Sequence, residues 1–195
     1  MRVHRIPFST NVERVALACA FKGVEVEWVD HDPGDRSAIR ALSGQDLVPV
    51  AETPDGVVAD SRAILRRLED MRPDPPLWPR APRDRAAADT FLEWFDEVWK
   101  RPPNALAAGD DDPRHAERLA GWLRRFEDRL TGADFLLADE VTVADFAVFP
   151  FLKYPVLGLE PGDEDPFHRV LVETMAEPGP NVRRWVRRID SFPRG

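Results

Sequence analysis

The first eighty residues alternate between strand-like and helix-like hydrophobic patterns. Short stretches rich in β-branched residues predict strands at 3–6, 24–29, 48–52 and 57–59. Apolar residues spaced three and four apart predict helices from 10 to about 22, from 36 to 42, and from 60 onward. A helical crossover predicts that the first two strands are parallel, and the Pro54-Asp55-Gly56 turn predicts an antiparallel hairpin. The predicted order is βαβαββα.

The first of these helices begins in the segment FSTNVERV. Thr10 as N-cap and Glu13 three residues later form a capping-box pattern, and Gly23 predicts the helix end. Ser9 then lies one position before the cap, where an apolar residue would usually pack. Helix formation does not need the Ser9 hydroxyl, so its role is left open between a loop hydroxyl and a ligand contact.

A dense run of prolines separates this region from a purely helical one. Prolines at 73, 75, 76, 79 and 82 stiffen the chain and prevent a continuous helix. We therefore predict an N-terminal domain at 1–72, a linker at 73–83 and an all-helical domain at 84–195. Within the latter, Pro102-Pro103 is expected to end the first helix, Asp112-Pro113 to start the next, and a final helix to cover about 181–189.

The segment EVTVADFAVFPF carries the clearest helix start in the sequence. Thr142 and Asp145 have the spacing of a capping box, here with aspartate as its second member. Pro150 lies inside the apolar run and is expected to kink or shorten this helix. We assign this segment a structural role.

Composition excludes several classes of function. The net charge of −8 disfavours nucleic-acid binding, and no apolar run reaches membrane-spanning length. The N-terminus lacks a signal-peptide pattern, so we expect a cytoplasmic protein. One cysteine, Cys19, permits no intrachain disulfide, and four scattered histidines do not have the spacing of a metal site. Cys19 lies on an apolar helix face, which favours packing over redox chemistry.

Four segments together resemble the cytosolic glutathione S-transferase family, in particular serine-type, bacterial GST-like proteins. They are STNVERVALACAFKGVEVE, LVPV, DSRAILRRLE and TVADF, in the family's order and approximate spacing. The resemblance implies the GST fold, an α+β thioredoxin-like domain followed by an all-α domain. It also implies glutathione as co-substrate, no metal, no nucleic acid or membrane partner, and a homodimer.

The resemblance also implies roles for particular residues. Ser9 matches the serine whose hydroxyl contacts the glutathione sulfur. Pro49 matches the proline after a cis peptide bond, and the Val48 backbone would pair with the cysteinyl part of glutathione. Asp60 and Ser61 match the pair that holds the γ-glutamyl end, although helix capping alone also accounts for them.

Two positions depart from the family pattern. The residue before the Val-Pro pair often reaches the glycyl carboxylate, and here it is Leu47. Gln45, two residues earlier, is the expected substitute. Asn11 and Thr10 replace the cysteine and second serine of some isomerases, which weakens a maleylacetoacetate isomerase assignment.

These features predict a glutathione transferase that adds the glutathione sulfur to a small apolar electrophile. A free thiol has a pKa near ~8.5, and a helix N-terminus with a donating hydroxyl would favour the thiolate. Ser9 itself is not expected to be the nucleophile, because no histidine base is near it in sequence. The alternative is a non-catalytic member of the fold that binds other proteins, or one that uses another thiol.

Overall fold

The computed structural model describes all 195 residues, and the chain divides into two compact units. Unit 1 contains Met1–Leu77 and the last four residues, Phe192–Gly195, and unit 2 contains Trp78–Ser191. The division lies inside segment 73–83. The sequence placed the last four residues with the helical domain, but the Gly195 amide donates to Ala16 O at 3.2 Å. This bond joins the C-terminus to the first helix of unit 1.

Unit 1 has the predicted element order. Its strands are β1 (Arg2–Arg5), β2 (Glu27–Asp30), β3 (Val50–Thr53) and β4 (Gly56–Ala59), and its helices are α1 (Thr10–Lys22), α2 (Ser37–Ser43) and α3 (Ser61–Met71). The sheet order is β2-β1-β3-β4. The β1–β2 pair is parallel and the β3–β4 hairpin is antiparallel, so both predicted pairings are confirmed. β1 also pairs with β3, in antiparallel orientation.

Strand β2 begins three residues later than the sequence predicts, and the end of α1 accounts for the first of them, Val24. Gly23 adopts φ 60°, and its amide donates to Ala20 O at 3.0 Å. The Val24 amide donates to Cys19 O at 2.9 Å. Together these bonds form a Schellman motif, which confirms Gly23 as the helix stop and keeps Val24 out of the strand.

A buried ion pair fixes the chain beyond α3 to unit 1. Lys22 is 1% exposed, and its ammonium donates to the Glu69 carboxylate, to Arg72 O at 2.6 Å and to Pro75 O at 2.8 Å. Glu69 also accepts from the Leu77 amide at 2.9 Å. Because buried charges require such partners, this network holds the chain to unit 1 past the predicted boundary at 72.

Unit 2 is entirely helical, as predicted. Its helices are α4 (Pro82–Trp94), α5 (Arg101–Ala107), α6 (Pro113–Arg129), α7 (Val143–Leu152), α8 (Tyr154–Leu157), α9 (Pro166–Thr174) and α10 (Pro180–Asp190), with a π-helical turn at Phe95–Trp99 between α4 and α5. No helix in either unit has the length and apolar character needed to cross a membrane.

The expectation that Pro102-Pro103 ends a helix is wrong. Both prolines lie in the first turn of α5, where a missing amide leaves no hydrogen bond unmade. α4 instead ends earlier, at a π-helical turn in which the Lys100 amide donates to Phe95 O at 3.2 Å. This wider turn separates α4 from α5.

The predicted capping box at α7 is present. The Thr142 side chain accepts from the Ala144 amide at 3.3 Å, and the Asp145 side chain accepts from the Thr142 amide at 2.9 Å. Asp145 is fully buried and also accepts from the Trp185 indole of α10 at 2.9 Å. Pro150 lies inside α7, which ends two residues later. This carboxylate therefore ties α10 to the start of α7.

Candidate functional site

Five of the six predicted site residues lie on segments that meet at one end of the sheet in unit 1. The sixth, Gln45, lies in the loop between α2 and β3. Val50 of β3 pairs with His4 of β1 and with Ala59 of β4. Both neighbouring strands run antiparallel to β3, so they end where β3 begins. The loop after β1 leads into α1, and α3 starts directly after β4. The segments meeting at this end carry Ser9, Val48, Pro49, Asp60 and Ser61.

The loop before α1 is a tight turn with an unusual residue. The Ser9 amide donates to Ile6 O at 3.3 Å, with Pro7 and Phe8 as the central residues. Phe8 has φ 64°, the left-handed conformation that the third position of a type II turn requires. A side chain in this region costs about 1–2 kcal/mol relative to glycine. Such local strain is typical of functional loops, and here it sets the backbone immediately before Ser9.

Ser9, and not Thr10, is the N-cap of α1, so the predicted Thr10–Glu13 capping box is wrong. The Glu13 amide donates to Ser9 O at 2.9 Å, and Thr10 is already helical. The Glu13 carboxylate instead accepts from the Arg194 guanidinium at 3.0 Å. The half-buried Ser9 side chain makes no capping hydrogen bond. Its hydroxyl is therefore uncommitted at a helix N-terminus, which carries partial positive charge.

The Val48-Pro49 peptide bond is cis, as the resemblance implies. Val48 precedes the first residue of β3 by two positions and is half-buried. Its amide and carbonyl have no hydrogen-bond partner among the backbone groups of the chain. These groups are thus available to pair with an added extended peptide.

The N-terminus of α3 combines a strained cap with a buried hydroxyl. Asp60 has φ 84°, and its Oδ1 accepts from the amides of Arg62 at 2.8 Å and Ala63 at 3.1 Å. Ser61 is 5% exposed, and its Oγ accepts from Nη1 of Arg14 at 3.3 Å. Arg14 lies in α1 and is fully buried. The sequence did not single out Arg14, because its apolar neighbours in α1 do not indicate what a charged residue there would contact.

A second overlooked arginine, Arg36, is the residue before α2 and contacts the loop between α2 and β3. Gln45 is half-buried, and Leu47 is 65% exposed, so Leu47 presents an apolar surface. Arg36 donates from Nη1 to Asp46 O at 2.9 Å and from Nε to Pro33 O at 3.2 Å. These carbonyls hold the guanidinium next to the start of β3. In the sequence, Arg36 is indistinguishable from an ordinary solvated arginine.

Cys19 packs in the core of unit 1, as predicted. The side chain is fully buried, and burial raises the pKa of its thiol to about 12. A neutral, inaccessible thiol is a poor nucleophile. The chain contains no group of three or more histidine, cysteine, aspartate or glutamate side chains arranged to hold a metal ion.

Sequence models of known families match both parts of the chain. The model described as "Glutathione S-transferase, N-terminal domain" matches residues 3–76, and "Glutathione S-transferase, C-terminal domain" matches residues 109–193. Together they span most of the chain in the order found in that family. The chain belongs to the glutathione S-transferase family.

Individual relatives are distant but extensive matches. A probable glutathione S-transferase from Nicotiana tabacum is 24% identical over 181 residues, covering 91% of this chain and 78% of that protein. FtsZ-localized protein A from Caulobacter vibrioides is 27% identical over 171 residues, covering 77% and 75%. The crystal structure of a glutathione S-transferase domain-containing protein from Marinobacter aquaeolei VT8 matches with a TM-score of 0.79 at 22% identity, covering 99% and 98%. The last match shows a shared fold.

The family assignment confirms the predicted fold class. A small mixed sheet with three helices followed by a helical unit is the glutathione S-transferase fold. The match to the glutathione S-transferase N-terminal domain contains all the sequence-predicted site residues, which are Ser9, Gln45, Val48, Pro49, Asp60 and Ser61. Their individual roles are taken up as proposals.

Proposed function

We propose that this protein binds glutathione and stabilises its thiolate for attack on a small apolar electrophile. The observation that carries the proposal is the uncommitted Ser9 hydroxyl at the N-terminus of α1. Anions are favoured at helix N-termini, and a hydroxyl that donates to sulfur adds a charge-assisted hydrogen bond. Ser9 would therefore hold the thiolate of glutathione, while the sulfur acts as nucleophile.

The open groups at this end of the sheet suit the other parts of glutathione. The cysteinyl backbone would pair with the free amide and carbonyl of Val48, next to the cis bond to Pro49. The γ-glutamyl group would lie at Asp60 and Ser61, where α3 begins.

The glycyl carboxylate would then extend in the opposite direction, toward the loop before β3. We assign it to Arg36, whose guanidinium is held at Asp46 O, with Gln45 as the sequence-predicted contact. Arg36 supplies a full positive charge that an amide side chain lacks. The Leu47 side chain can neither accept nor donate a hydrogen bond at this position.

Replacing Ser9 with alanine tests the catalytic proposal. A free thiol has a pKa near ~8.5, and each unit of downward shift is worth about 1.4 kcal/mol. We expect Ser9→Ala to slow conjugation of glutathione to a chromogenic aryl halide at least about tenfold at neutral pH. The deficit should shrink as the pH rises, because bulk hydroxide then ionises the thiol without help.

The matched control is Ser191→Ala, which removes a hydroxyl that bonds to Arg188 O within unit 2. This variant should conjugate glutathione at the wild-type rate. Unchanged turnover in Ser9→Ala at every pH would refute the role of Ser9 while leaving the family assignment intact.

A second candidate function is protein interaction without catalysis. The similarity to FtsZ-localized protein A favours it, since that relative is named for its localisation with another protein. Calorimetry with reduced glutathione separates the two functions. Absence of both heat and thermal shift at millimolar glutathione would favour the interaction protein, or a transferase specific for another thiol.

We also infer that the protein forms a homodimer. The family resemblance supports this inference, since its members typically pair with two-fold symmetry, the commonest arrangement of soluble oligomers. Light scattering during size-exclusion chromatography should give a mass twice the monomer value of 22.1 kDa. A mass that stays at the monomer value at micromolar protein would contradict it.

A further inference from the structure

We propose that the buried Arg14 is a positioning residue that orients Ser61 for binding a carboxylate at the N-terminus of α3. The inference rests on the proposed function, in which this helix end holds the γ-glutamyl group. That group carries both a carboxylate and an ammonium, so its receptor must serve two opposite charges within a short distance.

The hydrogen bond between Arg14 and Ser61 fixes the direction of the serine hydroxyl. A guanidinium can only donate, so Ser61 Oγ accepts from Arg14 Nη1 at 3.3 Å. The hydroxyl hydrogen has no acceptor among the protein's own atoms. Ser61 is 5% exposed and Arg14 is fully buried, so neither side chain is freely solvated. The remaining hydrogen is therefore available to an acceptor outside the helix end.

The backbone at this helix end leaves one more donor next to that hydroxyl. The Asp60 carboxylate already caps the amides of Arg62 and Ala63. The Ser61 amide has no such partner. Ser61 thus offers an N–H and an O–H from the same residue, and two adjacent donors match the two oxygens of a carboxylate.

Asp60 places a negative charge beside Ser61, at the start of α3. Its carboxylate lies at the same helix end and would repel a second carboxylate. The fully buried guanidinium of Arg14, which donates to Ser61 Oγ, places a positive charge next to that hydroxyl. Asp60 then suits the ligand's ammonium, while Ser61, backed by Arg14, suits its carboxylate. The pair of sites therefore selects an α-amino acid head group.

Two ligands that differ in one group test this division of roles. Glutathione is compared with 4-aminobutyryl-cysteinyl-glycine, which lacks the γ-glutamyl carboxylate and keeps the amine. Calorimetry should show wild-type protein binding glutathione at least about tenfold more tightly than this analogue. Arg14→Met and Ser61→Ala should each weaken glutathione about tenfold and leave the analogue within twofold.

The double variant and a control separate positioning from general damage. Arg14→Met combined with Ser61→Ala should be no weaker for glutathione than either single variant, because both act on one contact. Arg2→Met, at the start of β1 and so at the opposite end of that strand, should bind both ligands as wild type does. Equal weakening of both ligands in Arg14→Met would overturn the inference, since Arg14 would then act through packing.

The inference stays testable if the Arg14 variants do not fold. In the wild-type protein, the side-chain N–H signals of Arg14 in nitrogen-15 NMR should shift on titration with glutathione and stay in place with the analogue. Identical responses to both ligands would overturn the role of Arg14. Wild-type protein that binds neither ligand would refute the proposed function itself, and the two failures are therefore distinguishable.

Discussion

Replacing Asp145 with asparagine should destabilise unit 2, because the Asp145 carboxylate accepts four hydrogen bonds and an asparagine cannot accept all of them. Oδ1 accepts from the Leu136 amide and the Trp185 indole, both at 2.9 Å. Oδ2 accepts from the amide of Thr142 at 2.9 Å and from its hydroxyl at 3.1 Å. An asparagine side chain has one oxygen, so its amino group faces either the Leu136 amide and the Trp185 indole or the Thr142 amide and hydroxyl, and of these only the hydroxyl can turn to accept.

The size of the effect follows from burial. Asp145 is 0% exposed, so water cannot replace the lost acceptor. Each buried donor left unsatisfied costs about 1–3 kcal/mol, so one or two such donors give about 1–6 kcal/mol before relaxation. Because neighbouring effects are not additive, we expect a loss of about 3 kcal/mol in the free energy of unfolding. That is a large part of a typical stability of about 5–15 kcal/mol.

Urea unfolding followed by tryptophan fluorescence and circular dichroism measures this loss. The matched control is Asp134→Asn, which changes an exposed aspartate paired with Arg188 at 2.6 Å. Exposed ion pairs contribute little, so the control should stay within about 1 kcal/mol of wild type. A loss in Asp145→Asn no greater than in Asp134→Asn would refute the reasoning, since the four donors would then have found other acceptors.

Two further predictions concern the thiol and the glycyl contact. Since burial raises the pKa of Cys19 to about 12, native protein should resist iodoacetamide at pH 8 while urea-unfolded protein reacts, as mass spectrometry would show. Equal labelling of the native and the unfolded protein would contradict the burial. The raised pKa of Cys19 also makes stability depend on pH: its contribution is fully present below the unfolded pKa of ~8.5 and is lost as the pH rises toward 12. Arg36→Gln should weaken glutathione about tenfold in calorimetry and leave its glycyl ethyl ester unaffected. If Gln45→Ala shows that selectivity and Arg36→Gln does not, the carboxylate contact belongs to Gln45.

Two helix ends with local signals were predicted correctly, whereas the start of α1 and the end expected at Pro102-Pro103 were not. Gly23 and the Thr142–Asp145 pair act within a few residues, and both were predicted correctly. The start of α1 was misplaced by one residue. Glu13 matched a capping box in sequence, but its carboxylate binds Arg194, which is 181 positions away.

In the candidate site too, some residues were predicted from the sequence and others were missed. The family motifs led to Ser9, Val48, Pro49, Asp60 and Ser61, and the sheet register places their segments at one end. The two arginines were overlooked. A charged residue has no periodic signal that identifies its partner, and Arg14 and Ser61 are 47 residues apart.

Sequence patterns alone predicted the order of strands and helices in unit 1, the hairpin, the helical character of unit 2 and the family. These properties follow from periodicity, turn residues and caps, which act over a few neighbouring positions. Contacts in the folded protein establish which groups remain available to a ligand. The Ser9 hydroxyl is uncommitted because it makes no capping hydrogen bond, and the Ser61 hydroxyl is oriented because α1 brings Arg14 against α3. Long-range packing determines which hydrogen bonds are already satisfied, and therefore where binding can occur.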